Sequence, residues 1–230
     1  MDGEKRNMII YHGSKDIIKN PEFGKGNARN DYGLGFYCTE SLELAKEWAC
    51  SDSDTNGYAN RYEIDLSDYK VLDLMNGKYS ILNWMAILLN FRTFDVNTPV
   101  SVQAKEYILQ NFFVDVGNYD IIIGYRADDS YFSFAKDFIN NAISVEQLST
   151  AMRLGELGIQ IALKSKKAFE GLKYINYELA ESKEYYIKRV SRDKKARETY
   201  LSGYRQNLAT DGLFVMDIIR KGLKNGDKIL

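Results

Sequence analysis

Cysteine and proline are scarce in this chain, and each shortage excludes a class of protein. Cys38 and Cys50 are the only cysteines among 230 residues, too few for a disulfide framework and without the spacing of a zinc site. We interpret both as reduced thiols, which indicates a cytoplasmic protein. With only two prolines, long disordered connectors are not expected.

Long apolar runs and an excess of one charge are also missing. No stretch of about 20 apolar residues occurs, which argues against a spanning helix, and the polar segment 1–7 does not resemble a signal peptide. The 31 basic side chains nearly balance the 32 acidic ones, so the whole chain has no field that would select nucleic acid or an anionic membrane. Any such preference has to be local.

Familiar nucleotide-binding and hydrolase motifs are missing too. The chain has no Gly-x-x-x-x-Gly-Lys-Ser/Thr loop, and its glycines between 24 and 35 do not form the dinucleotide fingerprint. No nucleophile-elbow motif accompanies His12, the only histidine. These absences argue against a P-loop enzyme, a Rossmann dehydrogenase and a serine hydrolase of the common kind.

The patterns that are present predict short strands mixed with helices. Because the two kinds of element do not alternate regularly, we predict an α+β fold rather than a doubly wound sheet. One helix is expected to begin after a cap at Thr39 or Ser41 and to end near Ser51. The predicted strands are 8–11, 36–37, 58–66, 71–74, 119–124, 158–163 and 172–179, and the other helices are 79–91, 101–112, 131–141, 144–154, 182–208 and 212–223.

Residues 8–39 carry the clearest candidate site. Each end of this stretch pairs strand-forming residues with polar groups, and His12 stands where the first strand ends. The segment 15–31 contains Asn20-Pro21, Gly24 and Gly26, so it must turn repeatedly and can bring the two ends together. We expect it to act as a lid.

Two later strands add candidates. The apolar run 119–124 leads into Arg126, Asp128 and Asp129, which form either an ion-paired turn or part of a site. In the strand 158–163, Ile159, Ile161 and Leu163 share one face, which leaves Gln160 and Ala162 on the other.

The spaced combination of these segments resembles a known family. It consists of Tyr11-His12-Gly13-Ser14, the nine residues Asp31-Tyr32-Gly33-Leu34-Gly35-Phe36-Tyr37-Cys38-Thr39, then Ala45-Lys46-Glu47-Trp48-Ala49, 120–124 with 127–129, and the Gln160 strand. Together, over roughly 8–178, they resemble a bacterial family of ADP-ribosyltransferase-like proteins catalogued as a domain of unknown function. More broadly, they are similar to the diphtheria-toxin-like branch, whose site uses a His, a Tyr and an acidic residue on three strands.

The resemblance implies a fold and a co-substrate. The expected core, within 1–180, is a split β-sandwich of the ADP-ribosyltransferase type with inserted helices, followed by a helical C-terminal extension at 181–230. NAD would lie between the halves of the sandwich, with His12 on the adenosine-side ribose, the Gly13 backbone on the nicotinamide amide, and Tyr37 stacked on the nicotinamide beside Tyr32 or Phe36. The residues expected to bind NAD are His12, Gly13, Ser14, Arg29, Tyr32, Phe36, Tyr37, Arg126 and Asp128, and those expected to act in catalysis are Tyr37, Asp129 and Gln160.

The position of the acidic residue in this His, Tyr and acidic set differs from the wider relatives, because Gln160 stands where they carry glutamate. An amide can hydrogen-bond a ribose hydroxyl, but it is neither a base nor a negative charge. The missing charge is expected from Asp128 or Asp129, or else activity is slow or absent.

The function expected from the resemblance is transfer of ADP-ribose from NAD to a protein or nucleic-acid acceptor, as a toxin or defence effector that a partner protein neutralises. The alternatives are NAD hydrolysis, a degenerate module that binds NAD or nucleic acid, and a protein that only holds partners.

The helix predicted at 182–208 leaves two interpretations open. Lys and Arg outnumber Asp and Glu by eight to three between 183 and 205, with tyrosines among them. Such a helix contacts nucleic acid through phosphates and stacking, or it is a solvated face whose rings pack on the core.

Overall fold

A computed structural model describes residues 7–127, 129–154, 158–206 and 212–228, and the side chains of all of these except 129–131 and 204–206. These residues form seven strands and eight helices. The strands are β1 (Asn7–Ser14), β2 (Phe36–Cys38), β3 (Gly57–Asp65), β4 (Val71–Asp73), β5 (Ile121–Tyr125), β6 (Ile159–Leu163) and β7 (Lys173–Ala180). The helices are α1 (Leu42–Ala49), α2 (Ile81–Phe91), α3 (Pro99–Phe112), α4 (Asp129–Ile139), α5 (Val145–Ala151), α6 (Lys166–Glu170), α7 (Ser182–Gln206) and α8 (Val215–Lys221).

The predicted α+β class is confirmed, and every predicted strand and helix is present within a few residues of its expected bounds. The last two residues of the helix predicted at 182–208 lie outside the described residues. The short helix α6 was not predicted. Its five residues are too few to show a helical period, although Ser165 caps it by accepting a hydrogen bond from the backbone N–H of Ala168.

The strands form two sheets. The first has the order β1-β3-β7 and is antiparallel, while the second has the order β2-β6-β5-β4, with β4 and β5 parallel. An isolated bridge joins them: the N–H of Tyr11 lies 2.7 Å from the carbonyl oxygen of Thr39, and the N–H of Thr39 lies 2.9 Å from that of Tyr11. The two ends of the stretch 8–39 are therefore side by side, as its turns predict.

Alternate side chains of both sheets meet in one apolar cluster. The first sheet contributes Ile10, Tyr62 and Ile64 to this cluster, and the second contributes Phe36, Cys38, Ile121, Ile123, Ile161 and Leu163. Because successive residues of a strand point to opposite faces, the same pattern turns the other side of each strand outward. The sheets thus pack against each other around this core.

The other face of the second sheet is covered by helices. Leu72, Ile122 and Ala162 belong to a larger apolar cluster built mostly from α2, α3, α4 and α5. Strand β5 is therefore covered on both faces, as its unbroken apolar run predicts. The C-terminal helices add Ala196, Val215 and Ile218 to this same cluster. The domain boundary at 180 stays a prediction.

Helix α1 lies unusually close to the first sheet. A Cβ atom at Gly13 would come within 2.0 Å of the Ala45 carbonyl oxygen, and one at Gly57 within 2.6 Å of Ala49. Glycine at these two positions therefore lets the helix approach the strands. Of the two predicted caps of α1, the structure uses Ser41, whose Oγ accepts a hydrogen bond from the backbone N–H of Leu44.

Among the described residues, no helix combines the length and the apolar character needed to cross a membrane.

Candidate functional site

A cavity of about 720 Å³ opens at the junction where β1 ends, β2 begins, β5 ends and β6 begins. Six of the predicted site residues line it, namely His12, Gly13, Phe36, Tyr37, Arg126 and Gln160. The other lining residues include Trp48 of α1, Arg92 after α2, Arg189 of α7 and much of the segment 16–31. The cavity thus collects residues from six separate parts of the chain, namely 12–37, 48, 92, 126–127, 160 and 189.

His12 is held in one tautomer. Its Nδ1 lies 2.7 Å from the carbonyl oxygen of Tyr37, and because a carbonyl can only accept, Nδ1 must carry the proton. The ring also stacks on Phe36, with centroids 4.2 Å apart. Burial lowers the pKa of His12 below 6.5, against the opposing effect of the Tyr37 carbonyl. A neutral imidazole therefore presents Nε2 as a hydrogen-bond acceptor.

Tyr37 uses its hydroxyl to hold the preceding turn. The hydroxyl donates to the carbonyl oxygen of Gly33 at 2.5 Å and accepts from the N–H of Tyr32 at 3.1 Å. Burial raises the pKa of Tyr37 well above its ordinary value, so the phenol stays protonated. Gly33 has φ +76°, a left-handed conformation that favours glycine in this turn. The ring of Tyr37, rather than its hydroxyl, is the part left for a ligand.

Gln160 is tied to a carboxylate that is far away in sequence. Its Nε2 donates to Oδ2 of Asp31 at 2.8 Å and to the carbonyl oxygen of Tyr125 at 3.2 Å. The two acceptors take both amide hydrogens, so Oε1 is the only hydrogen-bonding atom that the amide can offer to a ligand. A ligand group bound by Gln160 must therefore donate a hydrogen bond, as a hydroxyl does.

Asp31 is a buried carboxylate at the wall of the cavity, with 5% of its surface exposed. Oδ2 also accepts from the N–H of Ala127 at 2.8 Å. Oδ1 lies 3.5 Å from Nη1 of Arg92 but makes no hydrogen bond with the residues that the structure describes. Burial raises the pKa of Asp31, while the Ala127 and Gln160 hydrogen bonds and the charge of Arg92 oppose that rise.

The segment 15–31 contributes much of one wall, and Asn60 holds its first residues in place. Asn60 of β3 is fully buried, and its Nδ2 donates to the carbonyl oxygen of Asp16 at 3.1 Å and to Oγ of Ser14 at 3.2 Å. Its Oδ1 accepts from the N–H of Ile18 at 2.9 Å. Near the other end, Nζ of Lys164 donates to the carbonyl oxygen of Tyr32 at 2.5 Å. The segment predicted as a lid therefore begins and ends at fixed points.

Three arginines surround the cavity. The guanidinium of Arg126 lies 4.4 Å from the centroid of the Trp48 ring, and Nη1 of Arg189 donates to the carbonyl oxygen of Cys50 at 3.3 Å. With Arg92, they place positive charge at the wall of the cavity. Such a group suits an anionic part of a ligand, since guanidinium binds phosphate and carboxylate well.

Other predicted ligand residues do not line this cavity in the described part of the chain. Tyr32 is fully buried and donates its hydroxyl to the carbonyl oxygen of Tyr125 at 2.7 Å, Ser14 caps the turn at Asp16, and Arg29 is exposed. Tyr32 supports Tyr37 from behind, with ring centroids 6.5 Å apart. Asp128 lies outside the described residues, and only the backbone of Asp129, the first residue of α4, is described.

Sequence reasoning did not single out Asp31, Asn60, Trp48, Arg92 and Arg189 as site residues. A signal existed for three of them. Asp31 opens the motif that carries Tyr37, Trp48 belongs to the motif 45–49, and Asn60 is a polar residue on the strand face that also carries Tyr62 and Ile64. Arg92 and Arg189 reach the cavity only through tertiary packing, which no local pattern reports.

The basic helix α7 agrees with the interpretation in which its charged side chains face solvent and its tyrosine rings pack on the core. The ring of Tyr200 lies 4.0 Å from that of Phe134, and Tyr185 is buried. Much of its charge is paired within the protein, as in the pairs Lys188–Glu43, Arg192–Glu47, Arg197–Asp193 and Lys194–Glu198. This arrangement favours docking of the helix over contact with nucleic acid.

In the described ranges, no group of three or more His, Cys, Asp or Glu side chains is placed to hold a metal ion.

Fold and site together define a class: an α+β protein whose two packed sheets meet at a cavity lined by a neutral histidine, the aromatic rings of Phe36, Tyr37 and Trp48, and the amide of Gln160. The comparisons give the family. A model described as "Protein of unknown function (DUF3990)" matches residues 8–174, so the chain belongs to that family. No curated protein and no solved structure matches the chain. The predicted membership of a family of unknown function is confirmed.

Proposed function

We propose that this protein binds NAD in the cavity at the sheet junction, cleaves the bond between nicotinamide and ribose, and transfers ADP-ribose to a protein or nucleic-acid acceptor. One observation carries the proposal: His12, Tyr37 and Gln160, which come from β1, β2 and β6, line the same cavity. These are the residues that the resemblance to ADP-ribosyltransferases matches with the ligand-holding positions. A core of the ADP-ribosyltransferase type is part of the proposal.

The side chains that line the cavity offer groups that suit NAD. Nε2 of neutral His12 accepts from a ribose hydroxyl, the Tyr37 ring offers a stacking surface, and Oε1 of Gln160 accepts from a second hydroxyl. The arginines suit a diphosphate. The volume of about 720 Å³ lies within the range of about 300–1,000 Å³ that is usual for small-molecule sites.

The reaction balances without a further reactant. When the bond between the ribose C1 and the nicotinamide nitrogen breaks, its electron pair stays with the nitrogen and cancels the positive charge of the ring. The ribose then carries the positive charge, and a hydroxyl, amine or other nucleophile of the acceptor forms the new bond at C1 and loses its proton. A site for this chemistry holds the leaving ring and stabilises positive charge on the sugar.

The first experiment follows NAD directly. The protein is incubated with labelled NAD and a cell lysate, and mass spectrometry is used to look for ADP-ribose on macromolecules. We expect labelled macromolecules and free nicotinamide. Free ADP-ribose with no labelled macromolecule would instead identify an NAD glycohydrolase. Intact NAD that still binds in a calorimetric titration would identify a binding module. No binding and no turnover would overturn the proposal.

Variants of the two best-placed side chains test the site. We expect His12→Ala to weaken NAD binding at least about tenfold, because one hydrogen bond and the stacked support of Phe36 are lost. Tyr37→Ala should weaken binding by a similar factor, whereas Tyr37→Phe keeps the ring and should bind more tightly than Tyr37→Ala. The dissociation constant is measured by calorimetry, with melting curves to show that each variant is folded.

Tyr177→Ala supplies the matched control, since Tyr177 is a tyrosine on β7 with 45% of its surface exposed and does not line the cavity. Its NAD affinity should equal that of the wild type. Equal affinity in the His12 and Tyr37 variants as well would refute the assignment of NAD to this cavity.

A further inference from the structure

Asp31 and Gln160 form a carboxylate–amide pair at the point where NAD-cleaving chemistry calls for negative charge. Gln160 alone is neutral, and it is the residue on β6 that reaches the cavity. Its Nε2 lies 2.8 Å from Oδ2 of Asp31, and both residues are buried, with 4% and 5% of their surfaces exposed. At this distance and burial, the charge of one residue acts on the other with little screening by water.

We propose that Asp31 is the positioning residue that gives the Gln160 amide the anionic character of a carboxylate, so that the pair does the work of a glutamate. The inference rests on the proposed function and deepens it. The carboxylate accepts the amide N–H and thereby polarises the amide, which makes Oε1 of Gln160 a stronger acceptor. The negative charge of the pair also stabilises the positive charge that develops on the ribose.

The surroundings of Asp31 support an ionised carboxylate. The N–H of Ala127 and the N–H of Gln160 both donate to Oδ2, and the guanidinium of Arg92 lies 3.5 Å from Oδ1. Oδ1 is buried without a hydrogen-bond donor among the described residues. A purely structural carboxylate would ordinarily have both oxygens satisfied, because an unsatisfied buried acceptor costs stability.

This pair changes the expectation for Gln160→Glu. If the amide were what limits turnover, a carboxylate at 160 would raise the rate. With Asp31 so close, however, two carboxylates would face each other and share one proton, leaving the same net charge as the natural pair. We therefore expect Gln160→Glu to give no gain in kcat over the wild type.

The decisive variant is Asp31→Asn. Its side-chain oxygen can still accept from Gln160 and Ala127, so the geometry is preserved while the charge is removed. We expect kcat for nicotinamide release to fall roughly a hundredfold, with the dissociation constant of NAD changed less than about threefold. Asp137→Asn is the matched control, because Asp137 is also a partly buried carboxylate with a raised pKa, accepts a hydrogen bond from Tyr200 at 2.8 Å, and does not line the cavity.

The outcomes separate the two proposals. A wild-type protein that neither binds nor cleaves NAD overturns the proposed function, and this inference with it. A wild type that releases nicotinamide while Asp31→Asn is equally active overturns this inference alone, as does a gain of more than about tenfold in Gln160→Glu. A drop in kcat with nearly unchanged NAD affinity in Asp31→Asn, and no such drop in Asp137→Asn, supports it.

Discussion

At the scale of single residues, each candidate group has its chemistry set by its neighbours. His12 is neutral because its pKa is lowered by burial, and Tyr37 is a protonated phenol whose hydroxyl is already engaged with the turn at Gly33. Asp31 has its pKa raised by burial, yet it is surrounded by hydrogen-bond donors and a guanidinium. None of these states follows from residue type alone.

The state of His12 predicts a pH dependence of ligand affinity. Because its pKa is lowered from 6.5, the imidazole is neutral at and above that pH, and Nε2 becomes protonated only as the pH falls below it. We expect NAD affinity to be constant above about pH 6.5 and to weaken on acidification, measured by calorimetry across the range. The charged groups that line the same cavity are Asp16, Glu22, Lys25, Asp31, Arg92, Arg126 and Arg189.

His12→Gln provides the comparison, since an amide oxygen accepts hydrogen bonds but does not titrate in this range. An unchanged acid limb in His12→Gln would assign that limb to another group. The free energy of unfolding should depend on pH in the same direction as NAD affinity. In the unfolded chain the histidine takes up a proton near pH 6.5, whereas in the folded protein its lowered pKa keeps it neutral to a lower pH. The free energy of unfolding therefore falls as the pH drops below 6.5.

At the scale of secondary-structure elements, the cavity depends on how α1 and α7 are held. Glu47 of α1 is buried, and its carboxylate receives two hydrogen bonds from Arg192 of α7, at 2.8 and 2.9 Å. Lys188 and Tyr185 of α7 both contact Glu43 of α1 at 3.1 Å. These contacts place Arg189 at the cavity. The family match ends at residue 174, so α7 lies beyond it.

Breaking the buried ion pair should loosen α7. In Arg192→Ala, the buried carboxylate of Glu47 loses its charged partner, which we expect to lower the free energy of unfolding by about 3 kcal/mol. Urea unfolding measures this loss, and NAD affinity should fall with it because Arg189 is then poorly placed. Arg197→Ala is the control on the same helix: its pair with Asp193 is more exposed, and its cost should stay below about 1 kcal/mol. Equal losses in the two variants would contradict an anchoring role for Arg192.

At the scale of the whole molecule, the C-terminal helices share the core of the rest of the chain. Ala196, Val215 and Ile218 are buried in the cluster that covers the second sheet. Tyr107 of α3 donates to the carbonyl oxygen of Leu223 at 3.1 Å, and Asn83 donates to Oδ1 of Asn225 at the same distance. The extension therefore contributes to the packing that supports the second sheet.

A chain shortened to residues 1–180 tests how separable the extension is. Removing Val215 and Ile218 alone withdraws burial worth about 1.5–3 kcal/mol for each side chain, a large part of the roughly 5–15 kcal/mol that stabilises a domain. We expect the shortened chain to melt at a much lower temperature and to bind NAD poorly, measured by calorimetry. A shortened chain that melts cooperatively at the full-length temperature would establish 1–180 as an independent domain.

Much of the fold follows from local patterns. Periodic apolar residues, caps and turn residues predict the strands and nearly all of the helices, because hydrophobic period and capping are properties of short segments. The same patterns predict which face of β6 carries Gln160, and the turns of 15–31 predict that His12 and Tyr37 meet. The missed helix α6 is too short to show a period.

What the amino-acid sequence by itself determined is therefore the α+β class, the elements, and the motif residues His12, Tyr37 and Gln160. Only the tertiary structure decided which distant groups join them: Asp31 beside Gln160, Asn60 beneath the segment 15–31, and the arginines Arg92 after α2 and Arg189 of α7. The physical reason is that the hydrogen bond between Asp31 and Gln160 joins residues 129 positions apart, and local sequence patterns do not report contacts over such a separation. It exists only once two packed sheets and the covering helices bring those side chains to one cavity.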